Sequence, residues 1–155
     1  MPQTPSVATT ALMFSDAGAL PWAEEDWAAA LQPPTVLIAD DDEGVRELLA
    51  FKLRAAGYRT LEADDGRTAL ALAVNERPQL VLLDVGMPGL DGLGFCYELH
   101  SSPQTAGIPV IIISGRGAAA DVLLGHMSGA EDYLVKPFSP AELLRRVERL
   151  VPLEG

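Results

Sequence analysis

Short apolar runs alternate with segments of helical periodicity along most of the chain. The apolar runs are predicted to be five strands, at Thr35–Ala39, Arg59–Glu62, Leu80–Leu83, Val110–Ile113 and Tyr133–Val135. Between them, apolar residues recur at the 3.6-residue spacing of helices that pack one face on a sheet. Strands that alternate with such helices predict an α/β fold with a mainly parallel sheet.

The predicted helices carry one apolar face, and some have recognisable ends. In the first helix this face consists of Val45, Leu48, Leu49, Leu53 and Ala56, and Gly57 is placed to end the helix. Further helices are predicted near residues 69–74, at 92–100 and at 119–128. The last helix has Ser139 as N-cap, Pro140 at its first position and Glu142 three residues after the cap, which is the pattern of a capping box.

Residues 1–34 differ in composition from the rest of the chain, because they contain acidic residues but no Lys or Arg. We interpret them as a mostly disordered extension, in which a short helix could carry Trp22 and Trp27 on one face. The alternative is a docking segment whose tryptophans pack on this domain or on a partner. The predicted domain spans residues 35–152, and residues 153–155 form a tail.

Composition and charge narrow the class of protein. Of 155 residues, 48% are hydrophobic and 21% are charged, which is typical of a globular chain. No apolar run is long enough to span a bilayer, and Cys96 is the only cysteine, so we expect a protein of the reducing cytoplasm. The net charge of -11 is unfavourable for contacts with phosphates, so we expect no direct binding of nucleic acid.

Polar residues follow four of the five predicted strands. Asp40 and Asp41 follow the first strand, Asp84 the third, Ser114 the fourth and Lys136 the fifth. In a parallel sheet these strand ends lie at one edge, where open α/β sheets bind their ligands. Carboxylate oxygens without a His or Cys pair favour Mg²⁺ or Mn²⁺ over zinc, and a lysine suits a phosphate oxygen. The sequence therefore predicts a site for a divalent cation and a phosphoryl group.

Two further carboxylates, Asp42 and Glu43, follow directly in the sequence. We interpret Asp42 as the N-cap of the first helix, because aspartate is favoured at that position. Negative charge also stabilises the N-terminus of a helix. This pair is therefore expected to start the helix and not to bind the cation.

Four short motifs, taken in order, resemble the receiver domains of two-component response regulators over about residues 35–150. They are Asp40-Asp41, Asp84-Val85-Gly86-Met87-Pro88-Gly89-Leu90-Asp91-Gly92, Ser114-Gly115-Arg116 and Tyr133-Leu134-Val135-Lys136-Pro137-Phe138. The resemblance implies a flavodoxin-like, doubly wound (βα)5 fold, whose five-stranded parallel sheet has the order 2-1-3-4-5. It also implies a role in phosphorelay signal transduction.

The resemblance implies roles for the acidic residues. Asp84 would be the phosphoacceptor, which takes a phosphoryl group from the phosphohistidine of a sensor histidine kinase or a phosphotransfer protein. Asp41 would bind Mg²⁺ directly, and Asp40 would bind it through water. Asp84 and the carbonyl oxygen of Gly86 would be further ligands of the cation.

The same resemblance implies how phosphorylation is passed on. Lys136 would pair with Asp84 and then with the phosphoryl oxygen, to which Ser114 would donate a hydrogen bond. Tyr133 would move inward as Ser114 shifts, and so alter a protein-binding face formed by the fourth helix, the fifth strand and the fifth helix. The Lys136–Pro137 peptide bond is expected to be cis.

Three functions fit these residues. The first is a stand-alone receiver with no DNA-binding output domain, which is not an enzyme beyond its own phosphorylation and dephosphorylation. The second is an aspartate-nucleophile phosphohydrolase, although Gly86 stands where such enzymes carry a second Asp. The third is an adaptor that acts independently of phosphorylation through Trp22 and Trp27.

The last segment resembles the winged-helix branch of response regulators, in which basic residues of the fourth helix join a salt-bridge network between two copies. The fourth predicted helix has no Lys or Arg here. Asp132 and Arg146 are expected to pair, but Glu142 has no evident partner in that helix. We therefore expect a monomer or a weak dimer.

Overall fold

A computed structural model describes residues 32–85, 87, 92–115 and 129–153 of the chain. Five strands form one sheet: β1 Thr35–Ala39, β2 Arg59–Ala63, β3 Leu80–Asp84, β4 Val110–Ser114 and β5 Asp132–Val135. All neighbouring strands are parallel, in the order β2-β1-β3-β4-β5. The predicted α/β fold and its strand order are confirmed.

Four helices lie in the described part of the chain: α1 Glu43–Ala56, α2 Gly66–Glu76, α3 Gly92–His100 and α4 Pro140–Leu150. The helix α4 is the fifth and last of the predicted helices. The fourth predicted helix, near residues 119–128, lies outside the described residues, as do Gly86 and most of the predicted N-terminal extension. None of the described helices combines the length and apolarity needed to cross a membrane.

The sheet is covered on both faces. Strands β3 and β4 are buried along their whole length, whereas the outer strands β2 and β5 are buried only in part. Successive side chains of a strand point to opposite faces. Accordingly, Val36 and Ile38 of β1 pack in one apolar cluster with Leu53 and Leu143, while the intervening Leu37 belongs to the second cluster on the other face. This two-sided burial explains the continuous apolar runs in the sequence.

The helix α1 begins and ends as its sequence predicts. The side chain of Asp42 accepts a hydrogen bond from the backbone N–H of Val45 at 3.1 Å, and Gly57 ends the helix with a φ of 115°. The buried face contains Leu49 and Leu53, but Leu48 is 50% exposed, so its predicted place in the core was wrong. Each residue advances about 100° around a helix, which carries Leu48 beyond the edge of the stripe centred on Leu49 and Leu53.

The helix α4 has the predicted cap but not the complete predicted box. Ser139 accepts a hydrogen bond from the N–H of Glu142 at 3.1 Å, with Pro140 at the first helical position. The carboxylate of Glu142 lies instead 3.1 Å from Arg146 Nη2 one turn later. The sequence did not reveal a partner for Glu142, and the structure shows that this partner is Arg146 of the same helix.

Candidate functional site

Three carboxylates meet at the carboxyl edge of the sheet. Asp40 directly follows β1 and is 1% exposed, and Asp84 is the last residue of β3 and is 8% exposed. Asp41 is exposed at the mouth of the site. One oxygen of each carboxylate lies within 4.8 Å of the others, which is close enough for all three to contact one metal ion. Since the donors are oxygens, the cluster fits a hard cation such as Mg²⁺.

Backbone hydrogen bonds beyond the strand ends hold this edge together. The N–H of Asp40 donates to the carbonyl of Ala63 at 3.0 Å, which ties the site to β2. At the other side, the N–H of Lys136 donates to the carbonyl of Ser114 at 2.7 Å. The sheet thus fixes the backbone that carries the acidic cluster and the lysine.

Lys136 extends between two of the carboxylates. Its Nζ lies 3.2 Å from Asp40 Oδ2 and 3.7 Å from Asp84 Oδ2. Burial lowers the pKa of Lys136, but the negative charges of Asp84 and Asp40 outweigh burial and raise that pKa above its ordinary value. The lysine therefore stays protonated and offsets part of the negative charge. The Lys136–Pro137 peptide bond that follows is cis, as the resemblance implies.

Asp42 belongs to the helix and not to the metal cluster. Its side chain caps α1, and its own backbone N–H donates to Asp40 Oδ1 at 2.9 Å. The two carboxylates therefore have different roles, since Asp40 faces the site while Asp42 caps the start of the helix. This agrees with the separation of roles expected from the sequence.

Arg46 reaches the site although the sequence analysis did not single it out. Its Nη1 donates to the backbone carbonyl of Asp40 at 2.8 Å, and its Nε donates to Glu62 Oε1 at 3.1 Å. These partners lie six residues before it and sixteen after it. No local motif connects residues at those separations, so only the packing of α1 on β1 and β2 reveals the contact.

Ser114 and Tyr133 lie on the strands beyond β3. Ser114 is buried at the end of β4, one position past Ile113, which pairs with Asp84 in the sheet. Tyr133 is in β5, and its hydroxyl is buried without a hydrogen-bond partner among the residues that the structure describes. A buried hydroxyl is destabilising when it lacks a partner, so a hydrogen bond gained by Tyr133 would stabilise the fold.

Val85, which follows Asp84, is closely packed against the start of α3. A Cβ atom placed on Gly92 would lie 2.7 Å from Cγ1 of Val85, the residue next to Asp84. A side chain at position 92 would therefore require Val85 to shift. The start of α3 packs closely against the residue that follows Asp84.

A cluster of charges joins β5 to α4. Asp132 accepts from Arg146 Nη1 at 2.7 Å and from Arg149 Nη2 at 2.6 Å, while Arg146 also donates to the Tyr133 carbonyl at 3.0 Å. The expected pair of Asp132 and Arg146 is therefore present. With Glu142 on Arg146, these charges are satisfied within one chain.

The structure thus brings Asp40, Asp41, Asp84 and Lys136 into direct proximity, with Ser114 on the adjoining strand. Gly86, whose carbonyl was expected to bind the cation, lies outside the described residues. An acidic cluster, a lysine and a strand-end hydroxyl at the edge of a 2-1-3-4-5 sheet define the kind of site that receivers carry.

The sequence model of the response regulator receiver domain matches residues 36–148. The chain therefore belongs to the response regulator receiver domain family of two-component signalling, as its motifs predicted.

Two curated relatives illustrate the similarity. A probable transcriptional regulator, ycf27 of Galdieria sulphuraria, is 46% identical over 112 residues, which cover 72% of this chain and 43% of that protein. The DNA-binding dual master transcriptional regulator RpaA of Synechocystis is 42% identical over 118 residues, which cover 76% of this chain and 49% of RpaA. The chain spans about half the length of these relatives.

A solved structure bears on the metal. The receiver domain of the sensor histidine kinase PA1611 from Pseudomonas aeruginosa matches with a TM-score of 0.71 and 29% identity, over 76% of this chain and 97% of that one. That structure has a magnesium ion coordinated in its active site cleft. Receiver domains bind Mg²⁺ in an acidic pocket, and the cluster of Asp40, Asp41 and Asp84 fits that chemistry.

The relatives contradict the prediction of a stand-alone receiver with no DNA-binding output domain. The ycf27 protein is named a probable transcriptional regulator, and RpaA is named a DNA-binding transcriptional regulator. Our prediction relied on the point where the sequence ends, which does not define an output. The relatives also argue against the expectation of no direct binding of nucleic acid, because the charge of a receiver does not determine what the rest of a regulator binds.

Proposed function

We propose that Asp84 accepts a phosphoryl group from a phosphohistidine in a Mg²⁺-dependent step, and that the acyl phosphate changes a protein-binding face. The observation that carries the proposal is the meeting of Asp40, Asp41 and Asp84 beside the ammonium of Lys136. Three carboxylates around one ammonium leave negative charge, which a divalent cation can neutralise. The donor would be a sensor histidine kinase or a phosphotransfer protein.

In the proposed step, a carboxylate oxygen of Asp84 forms a bond to phosphorus while the bond from phosphorus to the donor imidazole nitrogen breaks. The nitrogen keeps the electron pair of that bond. The transition state of phosphoryl transfer is loose, so positioning and electrostatics supply most of the catalysis. When held by Asp41, Asp84 and the Gly86 carbonyl, and through water by Asp40, Mg²⁺ would neutralise charge on the phosphoryl oxygens.

Lys136 and Ser114 are the proposed partners of the phosphoryl oxygens. Lys136 is already charged and lies within 3.7 Å of Asp84, so a small movement would carry its ammonium to the new group. The Ser114 hydroxyl would donate to a second oxygen from the adjoining strand. We infer that this chemistry is confined to the chain's own aspartyl phosphate, which makes the chain a signalling module and not an enzyme with an external substrate.

The proposed output begins at β5. The buried hydroxyl of Tyr133 lacks a partner among the described residues, so a rearrangement that provided one would be favourable. The carbonyl of Tyr133 accepts a hydrogen bond from Arg146 of α4. A movement of β5 would therefore displace Arg146 and change the surface of that helix. The similarity to transcriptional regulators supports control of transcription as the consequence.

Intact-mass spectrometry after incubation with Mg²⁺ and acetyl phosphate tests the proposal. We expect the wild type to gain one phosphoryl group, and to gain none when EDTA is present. Asp84→Asn should form no adduct. The matched control is Asp65→Asn, which changes a carboxylate that caps α2 outside the acidic cluster, where Asn is also a favoured cap. This control should be phosphorylated like the wild type.

Two results would reject the proposal. One is that the wild-type chain forms no adduct under these conditions. The other is that Asp84→Asn forms the adduct in the same yield as the wild type. Sustained release of phosphate from phosphomonoesters would instead indicate a phosphohydrolase. For Tyr133, hydrogen exchange should show that phosphorylation changes the protection of the β5 amides.

A further inference from the structure

Arg46 of α1 joins the helix to two strand ends. Its guanidinium donates to the carbonyl of Asp40 at 2.8 Å and to the carboxylate of Glu62, at the end of β2, at 3.1 Å. Its side chain is only 16% exposed, and its contact with Asp40 is partly buried, whereas its contact with Glu62 lies at the surface. The contact with Asp40 is charge-assisted, and such hydrogen bonds are shorter and stronger than neutral ones.

The carbonyl that Arg46 holds belongs to the peptide group joining Asp40 to Asp41. A peptide group is planar, so fixing its oxygen also restricts the positions of the N and Cα atoms of Asp41. This in turn restricts the direction in which the Asp41 side chain projects. The side chain of Asp40 is held independently, by the N–H of Asp42 and by Lys136. Asp41 is exposed, and its carboxylate has no hydrogen bond among the described residues, so within that part of the chain only the backbone positions it.

We propose that Arg46 is the positioning residue of the cation site, and that it acts through the Asp40 carbonyl without touching the cation or the phosphoryl group. This inference rests on the proposed function, since it assumes that Asp41 binds Mg²⁺. Residues that contact the metal ligands but not the metal contribute strongly to metal affinity, and their loss typically weakens binding about 10-fold to 100-fold.

The contribution of Arg46 is geometric more than electrostatic. Its positive charge is paired with Glu62, so the two side chains together bring no net charge to the edge of the sheet. Loss of Arg46 would free the peptide group and leave Glu62 unpaired. The added negative charge alone would favour a cation, so a weaker affinity for Mg²⁺ would report the lost geometry. Replacing Glu62 by an uncharged residue would leave the contact of Arg46 with the Asp40 carbonyl in place. It would remove the carboxylate that holds the guanidinium from the other side.

Arg54 provides a matched control on the same helix. Its Nη1 donates to Thr60 Oγ1 at 3.0 Å, so it also ties α1 to β2. Thr60 lies near the beginning of β2, whereas Glu62 lies near its end. Substitution of Arg54 removes one arginine and one contact between helix and strand but leaves the carboxyl edge intact.

Titration calorimetry with Mg²⁺ on the full chain tests the inference, with circular dichroism as the control for folding. Arg46→Gln should raise the Kd for Mg²⁺ by about tenfold or more. Arg46→Lys should give an intermediate Kd, because an ammonium lacks the planar fork that serves both partners. Arg54→Gln should keep the wild-type Kd. At saturating Mg²⁺, Arg46→Gln should still form the aspartyl phosphate to the wild-type extent.

An unchanged Kd in Arg46→Gln would overturn the inference, as would an equal weakening in Arg54→Gln, which would indicate loosening of the whole helix. If Arg46→Gln does not fold, Arg46→Lys and Glu62→Gln decide, and wild-type affinity in both overturns the inference. A wild-type chain that binds Mg²⁺ but forms no adduct would reject the proposed function. The comparison of Kd values for Mg²⁺ between the wild type and Arg46→Gln would still test the inference about Arg46.

Discussion

The two ends of the sheet satisfy their polar groups in different ways. At the amino end donors and acceptors are matched: the N–H of Thr35 donates to Gln79 at 2.7 Å, and the hydroxyl of Tyr58 donates to the carbonyl of Val151 at 2.7 Å. Asp132, at the start of β5, is paired there with two arginines. At the carboxyl end, Asp40 and Asp84 share a single lysine. The amino end thus matches donors with acceptors and negative charges with positive ones, whereas the carboxyl end holds like charges together.

This difference separates stability from function within one sheet. Clustered carboxylates repel one another and destabilise a fold unless a cation is shared. That repulsion lies at the edge where the strands present their carboxyl ends, whereas hydrogen bonds and pairs of opposite charge at the other edge contribute stability without it. Substitution of a clustered carboxylate should therefore mainly change cation binding, whereas substitutions at the amino end should mainly change stability.

The largest effect is expected from Asp41→Ala at the carboxyl end. It removes an exposed ligand and relieves repulsion, so we expect cation binding to be abolished while the metal-free fold is at least as stable. A cation at 100 times its Kd stabilises the wild type by about 2.7 kcal/mol. Urea unfolding with and without Mg²⁺ should show this gain in the wild type and none in Asp41→Ala.

The neighbouring variant Asp42→Ala is the control for this prediction. Asp42 caps α1, so its loss should lower the free energy of unfolding by about 1 kcal/mol. Its gain in stability on addition of Mg²⁺ should remain that of the wild type. Persistent Mg²⁺ binding by Asp41→Ala would show that the roles of these adjacent carboxylates were assigned incorrectly.

The features that the sequence predicted well are those set by local rules. Strand order followed from the resemblance, and the cap at Asp42 followed from the preference of aspartate for helix starts. The convergence of Asp40 and Asp84 followed from topology, since parallel strands end at one edge. The cap and the convergence require only short-range patterns and the rule that relates strands to their sheet, whereas the strand order required the resemblance to a known family.

The features that the sequence missed depend on distances between elements. Leu48 has the right spacing for the core but lies at the margin of the helix face, and its exposure depends on the rotation of α1 on the sheet. Arg46 acquires its contacts only when α1 packs over β1 and β2. The bond from Tyr58 to Val151 joins positions 93 residues apart, a separation that no local pattern reveals.

A moderate effect is expected from Tyr58→Phe at the amino end. The change keeps the ring but leaves the carbonyl of Val151 buried without its donor, so we expect the free energy of unfolding to fall by about 1–2 kcal/mol. Urea unfolding measures this loss, and calorimetry should show an unchanged Kd for Mg²⁺. Tyr97→Phe is the matched control, since Tyr97 is 73% exposed and should change stability little. Weakened Mg²⁺ binding in Tyr58→Phe would contradict the independence of the two ends.

The smallest effect is expected in the pH dependence of the same contact. Burial, with the negative charge of Glu148 adding to it, raises the pKa of Tyr58 above its ordinary value of 10.0. Because the folded pKa exceeds the unfolded one, this stabilisation is fully present below about pH 10 and is lost as the pH rises through the folded pKa. The difference in unfolding free energy between wild type and Tyr58→Phe should therefore shrink in urea titrations above that pH. A difference that stays constant across the alkaline range would show that Tyr58 titrates alike in the folded and unfolded chains.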